Sequence, residues 1–177
     1  PAARTAAVAA AAVFFGANLW QKAAYLPAWR DGETLWQYHC ALPAPSVVAF
    51  ENLAAWHYAQ VTEPGDPAQR ERSLRRMAAV VAAGLERFAD DGAGGLRPEA
   101  WRLLFLRAIV EEVGGRPEAA VRSLEQSDRL RGGYDATSLN LARLYRRLAR
   151  AAAEPAERAR LGRQARTRYE KYLRLAF

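Results

Sequence analysis

The chain has 177 residues, 51% hydrophobic and 25% charged, a composition that suits a folded domain and excludes a disordered tail. Its net charge of +7 is local, because residues 1–134 hold 15 basic and 15 acidic side chains whereas residues 135–177 hold 11 and 4. Alanine, leucine, arginine and glutamate dominate without alternating β-branched runs, which predicts an all-α fold, and the single cysteine, Cys40, excludes an internal disulfide framework.

The sequence opens at Pro1 without a methionine, as expected of a fragment, a processed form or part of something longer. Thr5 to Gln21 then runs 17 residues without a charge, between Arg4 and Lys22. That length is at the lower limit of a membrane span. Arg4, Trp20, Lys22, Tyr25 and Trp29 are the aromatic and cationic residues expected at a lipid interface. The run is rich in weakly apolar alanine, so a buried helix or a signal-peptide remnant stays open as a reading. Small residues at Ala9, Ala12, Gly16 and Ala17 would let another span pack closely. Residues 1–25 are accordingly expected to form a membrane-anchoring helix.

Residues 26–44 read as a connector. Pro27 and Gly32 mark a turn, Asp31 can cap, and a short helix from Glu33 to Leu42 stops before Pro43. Residues 45–177 then divide into helix pairs. Ser46 caps a helix carrying Phe50, Leu53, Ala54 and His57 or Tyr58 at helical spacing, and a second helix near Ala68 to Asp90 presents Leu74, Met77, Val81, Leu85 and Phe88. After the glycine-rich linker Asp90 to Pro98, a helix from Pro98 to Val113 presents Trp101, Leu104, Phe105 and Ala108, and another spans Pro117 to Leu130. A final pair joins Ala136 to Ala152 with Pro155 to Phe177. Pairs beginning near Ser46, Pro98 and Asp135 are about 52 and 37 residues apart, so any repeat of about 34 residues is degenerate.

Two stretches carry a resemblance. Gly114 to Ser127 contains a Gly-x-Pro-Glu-x-Ala pattern, and Asp135 to Tyr145 contains Asn-Leu-Ala-x-x-Tyr, with a second Asn-Leu-Ala at Asn52 to Ala54. These resemble the second helix of one tetratricopeptide repeat (TPR) and the first helix of its neighbour. The resemblance implies a TPR-like α-solenoid of about three helix hairpins stacked as a right-handed array, with Ala54, Ala120 and Ala142 at helix crossings. It also implies a partner held on a groove or edge of the array. The order of an apolar run, Trp29 to Trp36, a Pro-Ser turn and Glu51 to Ala54 looks like the junction between the last membrane helix and the repeats of multispanning TPR membrane proteins, the O-mannosyltransferases among them. That likeness implies a repeat domain outside the cytoplasm, periplasmic or luminal. It also keeps open a role as the acceptor-positioning tail of a membrane glycosyltransferase, whose catalytic acidic residues would lie in a loop this chain lacks.

The residues themselves point to no chemistry. His39 and His57 are the only histidines, and His39 beside Cys40 lacks the third and fourth ligands of a zinc site. Cys40 sits in an apolar helix without an activating partner, and Gly92 to Gly95 lacks the Lys-Ser/Thr of a phosphate loop. Glu111-Glu112 and Asp90-Asp91 adjoin turns and are expected to face water. No catalytic residue, metal ligand or cofactor-binding residue is assigned, and no enzyme activity is expected. Trp36, Trp56 and Trp101 read as core. In the terminal helix, Leu161, Ala165, Tyr169, Tyr172, Leu173 and Ala176 fall on one side and Arg160, Arg163, Lys171 and Arg174 on the other, which predicts a basic face for an acidic protein surface or anionic headgroups. The expected partners are a protein, in a membrane complex, and the lipid bilayer. Apart from Tyr169 and Tyr172, aromatic and basic residues do not interleave as in a single-strand nucleic-acid binder, which makes nucleic acid the less favoured partner without excluding it.

Overall fold

The computed structural model describes residues 12–20, 22–23, 26–89 and 95–177. Among them the regular structure is helical. Helix α1 covers residues 12–20, and a 3-10 turn at Leu26–Trp29 precedes α2 (Gly32–Cys40). Then come α3 (Val47–Thr62), α4 (Pro67–Arg87), a 3-10 turn at Pro98–Ala100, α5 (Trp101–Val113), α6 (Pro117–Leu130), α7 (Asp135–Ala151) and α8 (Pro155–Ala176).

Local chemistry explains where these helices start. Asp31 accepts from the Thr34 backbone N–H at 2.8 Å, while the Asp31 N–H donates to Thr34 Oγ1 at 3.3 Å, closing a capping box on α2. Ser46 and Asp66 accept from the N–H groups of Ala49 and Ala68 at 3.3 and 2.9 Å. Pro67, Pro117 and Pro155 occupy first turns, where a missing N–H leaves no hydrogen bond unmade. Gly115, at φ 73°, reverses the chain between α5 and α6 in a conformation that side chains with a Cβ rarely adopt.

Consecutive helices pair into hairpins: α3 with α4, α5 with α6, and α7 with α8. The first hairpin joins the second through α4 and α5 and through α3 and α5, the second joins the third through α6 and α7, and α2 lies on α3. Ala54, Ala120 and Ala142 are fully buried. Ala54 packs with Met77, Val81 and Val110 from the neighbouring helices, and Ala120 with Leu141, Leu144 and Leu161, so small side chains sit where helices approach closely.

Several expectations are corrected. The short connector helix ends at Cys40 rather than Leu42, and α4 starts at Pro67 because Asp66 caps it. Trp101 is buried, but Trp36 and Trp56 are only partly covered. Glu111 does not face water. It continues the buried stripe of Trp101, Leu104 and Ala108, and Ser123 Oγ and Arg107 Nε donate to its carboxylate at 2.6 and 3.0 Å. Residues 90–94 of the expected linker lie outside the described residues, as does the Asp90-Asp91 pair. Their flanks are held together by an isolated bridge between Ala89 and Leu96 and by Arg97 N–H donating to the Phe88 carbonyl at 3.0 Å. Among the described residues no helix is long and apolar enough to cross a membrane, and of the expected span Thr5–Gln21 residues 5–11 and 21 lie outside them.

Candidate functional site

The expected lipid-interface residues divide. Arg4 and Tyr25 lie outside the described residues, whereas Trp20, Lys22 and Trp29 are exposed, the two tryptophans at 78% and 68%. Trp20 belongs to a larger uncovered surface, because Val13, Phe14, Phe15 and Leu19 of α1 are also exposed. Large apolar side chains left together in this way mark a surface that meets lipid or another chain.

The expected basic face of α8 is rearranged. Arg160 makes a two-pronged pair with Glu157 at 2.6 and 2.7 Å. Lys171 turns inward and donates to Asp128 of α6 at 2.7 Å, beside Arg168 at 2.6 Å. Arg163 and Arg174 remain exposed and have no acidic partner among the described residues. The reason is rotational: α8 packs through Leu161 and Ala165, which carries positions 168 and 171 to the margin of α6 and leaves Leu173 at 54% exposure. Burial alone would raise the Asp128 carboxyl, but the hydrogen bonds and charges of Lys171 and Arg168 outweigh it and hold it below its ordinary value.

Positive charge without an acidic partner also lies along α7. Arg143, Arg146, Arg147 and Arg150 are all exposed, and only Arg147 has an acidic partner among the described residues, Glu112 of α5 at 3.1 Å. The i, i+3, i+4, i+7 spacing was legible in the sequence, opposite Leu141, Leu144 and Leu148. Expectation had assigned the basic surface to α8 alone.

The Glu112–Arg147 pair spans a groove of about 470 Å³ formed chiefly by α3, α5 and α7, with Leu124 of α6 also in its wall. Tyr58 of α3, Phe105, Ile109 and Val113 of α5, and Asn140 of α7 line it, mixing apolar surface with an amide and an ion pair. A wider depression of about 1020 Å³ lies between the α2–α3 loop and the end of α4, where Arg87 donates to the Pro43 carbonyl. Cys40 borders it, and burial pushes its thiol up to about 11, so the thiol is protonated near neutrality and unsuited to nucleophilic attack. At the N-terminal end of α5, the guanidinium groups of Arg102 and Arg131 lie 5.1 and 4.9 Å from the centre of the Trp101 ring, with the Tyr134 ring 4.7 Å away.

His57 is buried, and its Nδ1 has no hydrogen-bond partner; burial, helped by Arg76 and opposed by Glu33, lowers its proton affinity. Among the described residues no three His, Cys, Asp or Glu side chains converge as metal ligands.

No protein-family model, curated protein or solved structure matches the chain.

Proposed function

We propose that this chain is a membrane-anchored, TPR-like scaffold subunit that holds a protein partner on its helix array and performs no catalysis itself. The observation that carries the reading is the groove built from α3, α5, α6 and α7, in which apolar side chains, Asn140 and the Glu112–Arg147 pair are presented by packed helices. Hairpins that stack in sequence offer such surfaces without any chemistry of their own. The Gly-x-Pro-Glu-x-Ala turn at Gly115 to Ala120 supports the TPR-like part, since Gly115 makes the reversal and Ala120 is fully buried. The exposed apolar residues of α1 support anchoring in lipid or against another span. The extracytoplasmic side for the helix array rests on the resemblance of the Trp29 to Ala54 junction alone.

The test is to place a photo-crosslinking residue at Val113, which borders the groove and is 50% exposed, and another at Arg122 on the outside of α6, in chain recovered from native membranes. A stoichiometric partner crosslinked from Val113 and not from Arg122 is the expected outcome. Recovery of the chain alone and monomeric, with no crosslink from the groove, would remove the scaffold reading. A product in which the helix array continues directly from a multispanning catalytic polypeptide would assign it to an acceptor-positioning tail instead.

A further inference from the structure

The four arginines of α7 occupy one face of the helix. Leu141, Leu144, Tyr145 and Ala149 lie opposite them and are buried against the neighbouring helices. Arg143 to Arg150 therefore presents a cationic strip about 10 Å long at a rise of about 1.5 Å per residue. Its charge is not neutralised within the helix. The only acidic residue of α7 is Asp135, at the N-terminus, whose Oδ1 accepts from the Ala136 N–H at 2.7 Å. On α8 the cations are more mixed, for Arg160 and Arg166 each have a glutamate three or four residues away and Arg168 and Lys171 share Asp128, while Arg158, Arg163 and Arg174 are exposed without an acidic partner among the described residues. Like charges at i, i+3 and i+4 repel, so α7 carries an unfavourable face that an anionic group standing over it would relieve.

The place of the strip in the fold selects among anionic partners. Arg147 belongs both to the strip and to the groove lined by Tyr58, Ile109, Val113 and Asn140. A lipid surface supplies negative charge but no side chain to enter a groove. Single-stranded nucleic acid needs exposed aromatic platforms beside the cations, and here Tyr145 is buried with its hydroxyl donating to Glu125 at 2.6 Å, while Tyr58 and Phe105 in the groove are only partly exposed. A peptide supplies both carboxylates and an apolar side chain. We infer that the arginine face of α7 and the adjoining groove dock an acidic peptide segment of a protein partner, its carboxylates along Arg143, Arg146 and Arg150 and one apolar side chain beside Ile109 and Val113. The inference rests on the scaffold reading and adds the chemistry of the partner.

The probe is a fluorescein-labelled synthetic peptide of aspartate and glutamate with one central leucine, titrated against the full chain in detergent and followed by anisotropy. Its Asn/Gln counterpart is the uncharged control. The acidic peptide is expected to bind at least about tenfold more tightly than the control, with affinity falling as salt rises. R143E/R146E/R150E is expected to lose about tenfold or more and to flatten the salt dependence, whereas R163E/R174E on α8 should stay within about twofold of the parent. Should the triple variant lose helicity, R146Q and R150Q singly are expected to weaken binding about two- to threefold each. Equal affinity of the acidic and uncharged peptides, equal affinity of the parent and the α7 variants, or tighter arginine-dependent binding of phosphatidylserine vesicles or an oligodeoxythymidine would overturn the inference. A native partner crosslinked at Val113 but indifferent to the α7 reversal would sink this inference alone. Intact peptide binding with no native partner would sink the scaffold reading alone.

Discussion

Two glycines on helices show how position decides the effect of one methyl group. A Cβ on Gly84 of α4 would sit 2.9 Å from Leu103 Cδ1 and 3.1 Å from Phe50 Cγ, both in the core, whereas a Cβ on Gly162 of α8 would meet nothing within 4 Å. Replacing a mid-helix glycine with alanine gains about 1 kcal/mol of helix propensity, and overpacking a core loses about 1–3 kcal/mol. Gly84→Ala is therefore expected to lower the urea midpoint and Gly162→Ala to raise it. His57 behaves as a buried neutral imidazole, its folded-state proton affinity lowered by burial. The unfolded chain then binds the proton that the folded chain refuses, so stability is complete above about pH 6.5 and declines as pH falls toward the lowered folded value. Urea unfolding at about pH 7.5 and about pH 5.5 should show a loss in the parent that His57→Gln lacks.

At the scale of elements, α8 is held by packing on α7 and by the Asp128 cluster that reaches back to α6. Asp128 is depressed in the folded state, so the stability it contributes is present above the ordinary aspartate value of about 3.9 and is lost as pH falls through the folded value. The advantage of the parent over Asp128→Asn in chemical denaturation should be clear near neutrality and should shrink as pH falls below the ordinary aspartate value of about 3.9. Glu111 makes a comparable tie between α5 and α6. Glu111→Ala would leave the buried Ser123 hydroxyl without its acceptor, at about 1–3 kcal/mol, measurable as a lower thermal midpoint.

Across the described residues, exposed large apolar side chains lie toward both ends, on α1 and at the end of α8, and arginines without an acidic partner lie along α7 and α8. Phe14, Phe15, Leu19 and Trp20 stand out from α1, while Leu103, Leu124, Leu141 and Leu144 of the hairpins are buried between helices. If α1 anchors the chain, full-length protein should float with phosphatidylcholine vesicles, and Phe14→Ser, Phe15→Ser, Leu19→Ser and Trp20→Ser combined should leave it in the dense fraction. Flotation unchanged by those substitutions would remove α1 from the anchor.

Helix limits and pairing were legible in the residues, because a cap, a first-turn proline or a glycine acts within one turn of chain: Asp31 and Ser46 start helices, and Pro117 to Leu130 is helical as its spacing predicts. The buried alanines were legible for the same reason, since close approach needs a small side chain wherever the turn places the next helix. Charge was different. Whether an arginine is free or neutralised depends on what stands opposite it, and Asp128 lies 40 residues from Arg168, on another helix. Periodicity describes one helix about its own axis; the rotation at which α8 docks, the burial of Glu111 against Ser123 and the exposure of the α7 arginines follow from packing between helices, which only the tertiary structure decided.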